Sequence, residues 1–473
     1  MDYERALQYY YGNHPLPITV EDNMPDDNVV INMVRMVGDR TAQFLFPEPP
    51  KFETDIDSLE DTEEEIWLRE LFEKSGGLAF FNRWAVRGYL SGHTFLRVMP
   101  PKFPGDQPFL TLYDPTQVVP YWDAENPSIV LWYELRYAVG EDFYMIDFYR
   151  KGLNSWGIDK YINRNRVDGA GGTFYERTVQ QQSMLFRALW STDLGAAGWE
   201  LVQLGNWESN YPPIIDVPHL PDPDKPYGMS EVANLRLQDT INRIFSLMNM
   251  IVRKHSTPVD VITGADVDDV DNSTEDLFAI ASPGAKVTRL ELKGDLAAVD
   301  QALERAIIMY LALARVVLLR GEVADLQRVT NASVKTLFLD ALAKNTLLWS
   351  SYSAALKIAA ATALEIGYAN RLITNNPVNL DIQVVRAEPL PTDMLEVAQI
   401  NAMGITGGYM SRQDAATRLG LNWARTSSAI KAEHDVMMER QVADAAMMQT
   451  VSPNQSNSEQ KERSNEQNVD NEN

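Results

Sequence analysis

Arg320, Gln327, Arg328 and Asn331 fall in one short polar stretch, RGEVADLQRVTN, that also holds a glycine. Guanidinium and amide side chains on a loop are suited to phosphate oxygens. On composition alone the stronger reading is plainer: a connector between helices whose polar residues face water. A second candidate is the acidic run Asp266, Asp268, Asp269 and Asp271, which begins like a calcium loop. It departs from one at three places. Val270 stands at the fifth position, Asp271 where the turn needs glycine, and Leu277 where the last carboxylate belongs. It reads as a solvated or interfacial loop.

Other chemistry is poorly supplied. The five histidines (His14, His93, His219, His255, His434) are scattered, without HExxH or a pair at helical spacing, and read as structural. No Gly-Lys dipeptide occurs, which excludes a Walker-type phosphate loop, and no GxSxG is present. Gly169–Gly172 (GAGG) has Phe174 where a dinucleotide fingerprint needs its third glycine, and reads as a turn. With no cysteine there is neither a disulfide nor a thiolate site. Nothing here supports an enzyme or a bound cofactor.

The 473 residues carry a net charge of −24. Recognition of a DNA sequence usually uses a basic domain, so that class is disfavoured. A strongly acidic protein can instead let DNA pass without sticking. Residues 1–12 are charged and aromatic, unlike a signal peptide. The most apolar run, Ala306–Leu319, is interrupted by Arg315 and too short to span a bilayer. The expectation is a soluble, intracellular chain.

The elements that would position these residues follow from periodicity. Helical spacing covers Asn28–Phe46, stopped by Pro47–Pro50, then Trp67–Phe72 and Leu78–Leu90. From Gly92 to Trp207 the period approaches two, with strands at His93–Met99, Phe109–Tyr113, Gln117–Trp122, Ile129–Tyr137, Phe143–Tyr149 and Trp199–Leu204. This half is α+β with a largely antiparallel sheet. Ser230 is expected to cap a helix reaching His255, with Glu231 in its first turn. Val259–Ile262 and Lys286–Leu292 are candidate strands in an insertion. A second helix is expected over Asp295–Leu319, amphipathic at first (Val299, Leu303, Ile307), then apolar nearly all round and so buried on several sides. A third begins at Ser333 and is closed by Gly367. Leu380–Val385 is a further strand, and helices follow at Thr392–Met403 and Ser411–Met448. The Asn-, Gln- and Ser-rich end from Ser452 has little to bury and is expected to be disordered.

In this order the elements resemble the portal (head-to-tail connector) proteins of tailed bacteriophages, from the first helices to about residue 440. The likeness is carried by Tyr9–Pro15 (YYYGNHP), the helix Asn32–Phe46, Leu90–Val98 (LSGHTFLRV), Leu112–Asp123 (LYDPTQVVPYWD), Lys225–Ser246 (KPYGMSEVANLRLQDTINRIFS) and Glu388–Gly420. The resemblance implies a portal-type ring subunit: an α/β wing over 1–230, stem helices at 231–255 and 295–319, and a clip at 256–294. It further implies a tunnel loop at 320–332, the wing's long helix and return strand in 333–391, a crown at 392–450 and a tail at 451–473. Arg320, Gln327, Arg328 and Asn331 would then meet DNA, and Ile307, Tyr310, Leu311 and Val317 a neighbouring subunit. The implied partners are further copies of the chain, typically twelve, double-stranded DNA in the channel, and the terminase large subunit. A head-completion adaptor and the capsid or scaffold protein complete the set. No membrane and no cofactor is implied. The implied location is the capsid portal vertex of the virion, with assembly in the host cytoplasm. Two other classes stay open: a nucleic-acid-processing enzyme with a carboxylate metal site involving Asp268 and Asp269, and a membrane-associated pore using Ala306–Leu319.

Overall fold

The computed structural model describes residues 3–20, 25–54, 61–101, 103, 105–139, 142–152, 155–163, 199–207, 209–232, 235–256, 259–263, 270–271, 279–280, 284, 286–290, 296–317, 335–377, 380–390, 394–419, 427–428, 430–431, 434 and 436–438. It divides into two units, 1–56 with 62–390, and 57–61 with 391–473. Arg320, Gln327, Arg328, Asn331, most of the acidic run and the terminal tail lie outside the described residues.

The first unit begins with helices α1 (Tyr3–Tyr10) and α2 (Met33–Leu45), strand β1 (Lys51–Glu53), and helices α3 (Glu63–Lys74) and α4 (Gly77–Ser91). Strands β2 (His93–Met99), β3 (Phe109–Tyr113), β4 (Val118–Trp122), β5 (Val130–Val139), β6 (Asp142–Gly152), β7 (Ser155–Asn163), β8 (Glu200–Trp207) and β9 (Ile215–Pro218) follow. Next come α5 (Leu235–Ser256), the strands β10 (Val259–Thr263), β11 (Val270–Asp271), β12 (Ala279–Ile280) and β13 (Lys286–Leu290), α6 (Leu296–Ala314), α7 (Leu339–Ala369) and β14 (Gln383–Val385). The α+β class expected from the sequence is the class observed.

Strand β2 sets the layering because its two faces serve different cores. Leu96 and Val98 join a helical core with Phe46, Trp84, Tyr352 and Leu356. Phe95 faces the other way, into a core with Val118, Tyr133, Phe148 and Trp156. β2 is central in the antiparallel sheet β3-β2-β9, while β4 to β8 form a five-stranded antiparallel meander in sequence order. β10 pairs with β13, β11 with β12, and β1 with β14, all antiparallel.

Local chemistry explains the helix limits. Asn32 caps α2 by accepting from the Arg35 amide, and Thr62 with Glu65 forms a reciprocal capping box on α3. Four expected limits are corrected. Ser230 does not adjoin the described helix, which begins at Leu235: its hydroxyl proton is shared between the carbonyls of Leu90 at 2.8 Å and Tyr89 at 3.1 Å, and its oxygen accepts from the Val232 amide. Glu231 accordingly does not lie on a first turn; it is buried. Helix α6 ends at Ala314, not Leu319, because Arg315 turns left-handed (φ 53°). Helix α7 runs past Gly367 to Ala369, where Arg371 (φ 58°) makes the same kind of turn. Gly367 serves packing instead: a Cβ there would meet the Trp67 ring at 2.9 Å. Both ends show the crossed bonds of a Schellman motif. Val316 N–H donates to Leu311 and Arg315 N–H to Ala312, as Leu372 does to Gly367 and Arg371 to Tyr368.

The second unit holds α8 (Met394–Thr406) and α9 (Arg412–Arg418). Ser411 caps α9 by accepting from the Asp414 amide at 3.0 Å, and Asn401 on α8 donates to the Ala415 carbonyl. Of the helix expected over Ser411–Met448, Arg412–Arg418 is described as one element.

Candidate functional site at the roots of the paired helices

α5 and α6 pack together, and the β10–β13 ribbon lies in the chain between them. The segment that leads into α5 and the end of α6 meet one buried side chain from α7. The Lys344 ammonium donates to Glu231 Oε2 at 2.8 Å, to the Ala314 carbonyl at 2.8 Å and to Thr41 Oγ1 at 3.2 Å. Three donors thus meet three acceptors, one of them the last carbonyl of α6, where a cation also suits the helix dipole. Lys344 is 7% exposed and Glu231 5%.

Glu231 has a second partner. Its Oε1 lies 2.7 Å from His219 Nε2, and His219 Nδ1 lies 2.9 Å from the Tyr352 hydroxyl. Burial pushes the Tyr352 phenol far above its ordinary value, so it stays protonated and donates to Nδ1, leaving Nε2–H for Glu231. Burial alone would raise the Glu231 carboxyl. The His219 hydrogen bond and the Lys344 charge outweigh it and hold the group below the usual carboxylate value.

The chain is shaped to admit this cluster. Gly88 on α4 faces it, and a Cβ there would lie 2.1 Å from the Tyr352 oxygen and 2.7 Å from His219 Nδ1. His219 is held by its own amide, which donates to the Gly92 carbonyl at 2.9 Å. His93, also fully buried, bonds to the Asp216 carboxylate and accepts from the Gly228 amide at 3.1 Å. Every cluster atom named is bonded to a neighbour, so the arrangement ties together elements far apart in the chain.

The residues singled out for a subunit contact separate in the structure. Tyr310 and Leu311 are 6% and 7% exposed and sit in the core shared with α1, α2, α4 and α5. Burial pushes the Tyr310 phenol up to about 12. Ile307 is half-buried against the same core. Val317, also half-buried, packs on Phe338, Ala341 and Leu390, and its carbonyl accepts from Arg40 at 3.3 Å. The large apolar side chains of α6 that remain outside are Ile308, Met309 and Leu313, at 52%, 62% and 60%. Sequence reading missed this division, although the stripe Leu303, Ile307, Tyr310, Leu311 and Ala314 has core spacing and leaves those three over. It also missed the Lys344 cluster, since its partners lie between 12 and 303 residues apart and share no local period.

Among the described residues no group of three or more His, Asp or Glu is placed to hold a metal ion. No helix among them is long and apolar enough to cross a membrane.

No curated protein matches the sequence. Solved structures do. A chain from the "Neck of empty GTA particle computed with C6 symmetry" aligns at 13% identity, covering 89% of this chain and 93% of its own, with a TM-score of 0.45. A chain from the "Virion of native gene transfer agent (GTA) particle" aligns at 13% identity, covering 89% and 94%, with a TM-score of 0.46. Residues 1–152, which run from α1 to the end of β6, match the family model described as "Phage portal protein, SPP1 Gp6-like".

Proposed function

We propose that the chain is the subunit of a phage-type portal ring, a conduit through which DNA is packaged and ejected. The observation that carries this reading is the portal family match over residues 1–152. The order of elements beyond the match supports it: a helix, a small β ribbon, a helix antiparallel to the first, and then one long helix. In this reading α5 and α6 are the stem, 256–294 the clip where terminase and later the adaptor dock, and 320–332 the tunnel loop. Arg320, Gln327, Arg328 and Asn331 contact the DNA. The meander, its neighbouring helices and α7 form the wing, which meets capsid or scaffold protein. The charge of −24 per subunit suits a channel that must not retain DNA. No step of this role needs catalysis by the chain itself.

The ring contact on α6 falls to Ile308, Met309 and Leu313, with Ile307 and Val317 at its margin. Tyr310 and Leu311 serve the subunit's own core. Electron microscopy of the purified protein, with light scattering on the same fraction, tests the reading. Rings with an axial hole and a mass near twelve 53.4 kDa chains are expected. A monomer that also stays unassembled with capsid components would sink it. The interface assignment has its own check. Met309→Asp should abolish rings while far-ultraviolet dichroism and melting stay near wild type, whereas Leu311→Asp should lose the fold, because its charge would be buried.

A further inference from the structure

The apolar pattern of α6 does not stop where the helix stops. Val316 and Val317 continue the run that ends at Leu319, and Arg315 is a good helix former. Yet Arg315 stands at φ 53°. For a residue with a Cβ that conformation is roughly five- to thirty-fold less favoured than the right-handed one. A helix end of this kind normally carries glycine.

Two features hold the end in place. The Ala314 carbonyl accepts from Lys344 at 2.8 Å, and Val317 is seated beside Phe338 with its carbonyl on Arg40. The amides of Arg315 and Val316 donate to Ala312 and Leu311 at 3.1 and 3.0 Å. In a continued α-helix the same two amides would exchange acceptors, Arg315 taking Leu311 and Val316 taking Ala312. Val317 would add a third bond, to Leu313. No backbone bond is lost in that exchange, and the left-handed residue is relieved.

We propose that the end of α6 is a two-state element, capped at Ala314 while Lys344 holds that carbonyl and helical through Val317 when it does not. Lys344 is then a positioning residue. It fixes the direction in which the chain leaves α6, and Glu231 and Thr41 fix Lys344. A shift of α7, on which Lys344 rides, is the natural trigger, and the change would be of the discrete kind that packed elements allow. The inference rests on the helix geometry and stands whether or not the chain forms a portal ring.

The test uses the full chain in whatever assembly it adopts. The structure of the Glu231→Gln/Lys344→Met variant, which removes the tie without stranding a charge, should show Arg315 right-handed and the Val317 amide on the Leu313 carbonyl. Adding Arg315→Gly should restore the capped end, since glycine accepts the left-handed turn freely. An end still capped at Ala314 in the double variant would overturn the proposal. Arg315→Gly alone leaves the cluster intact and decides the matter should the double variant not fold. It should raise the folding equilibrium constant about five-fold, the lower bound of the left-handed cost. An unchanged or lower constant would mean that no strain is stored at this end, and would overturn the proposal too.

Discussion

Lys344→Met should destabilise the protein by about 3–5 kcal/mol, among the largest effects open to a single side chain. The length of the side chain is kept, so little is lost in packing. The cost comes from Glu231, left buried with His219 but without the Lys344 charge, and from the Ala314 carbonyl, left without its donor. Pairing it with Glu231→Gln should recover most of the loss, because a neutral amide can still meet His219. Urea denaturation of the wild type, both single variants and the double variant gives the coupling; additive single losses would sink the account. Acid should act as the same lesion. Glu231 titrates below its unfolded value of 4.5, so its contribution is present in full above that pH. It is lost as pH falls from there through the lower folded value. Glu231→Gln should flatten that part of the stability–pH curve.

Gly92→Ala should cost at least about 3 kcal/mol, for two reasons that add. The residue closes α4 at φ 79°, where a Cβ is disfavoured. That Cβ would also stand 2.3 Å from the Ser230 nitrogen and 2.7 Å from the Gly228 carbonyl oxygen, both backbone atoms that cannot rotate away. Relieving the collision means parting α4 and β2 from the 228–230 turn, which frees His219 and His93 from their backbone partners. The midpoint of thermal unfolding and the soluble yield would report it. A variant that melts with the wild type would show that the two backbones are not in contact. Gly77→Ala isolates the first of the two costs, since Gly77 is also left-handed, at φ 53°, and nothing lies within 4 Å of its Cβ position.

Much of the architecture was legible because period and punctuation agreed. His93–Met99 and Phe109–Tyr113 are strands at the limits expected, and Pro47–Pro50 ends α2. β7 was missed because its two faces are both largely buried, so Ser155–Asn163 lacks the alternation that marks a half-exposed strand. β9 was missed because four residues ending in proline carry no period. The errors at Ser230 and Gly367 share one cause. Each residue type has a familiar local role, and each was claimed by a distant partner instead: the Tyr89 and Leu90 carbonyls in one case and the Trp67 ring in the other. The Lys344 cluster was out of reach for the same reason. It joins residues 41, 219, 231, 314, 344 and 352, and no local pattern reports such a meeting.

The second half of α7, a helix that packs on β2 and β9, brings a row of alanines, Ala355, Ala359, Ala360 and Ala363, into the shared core, each almost wholly enclosed. Alanine has no rotamers to freeze, so this contact forms without the side-chain entropy that leucine or methionine would lose on burial. It is also a contact that can drift in only one direction. Loss of a methyl leaves a small void, whereas any gain in bulk must lift a helix of 31 residues off its sheet. Through evolutionary time this row is therefore a ratchet on volume, and the long helix is bound to stay slender there even as its exposed side varies.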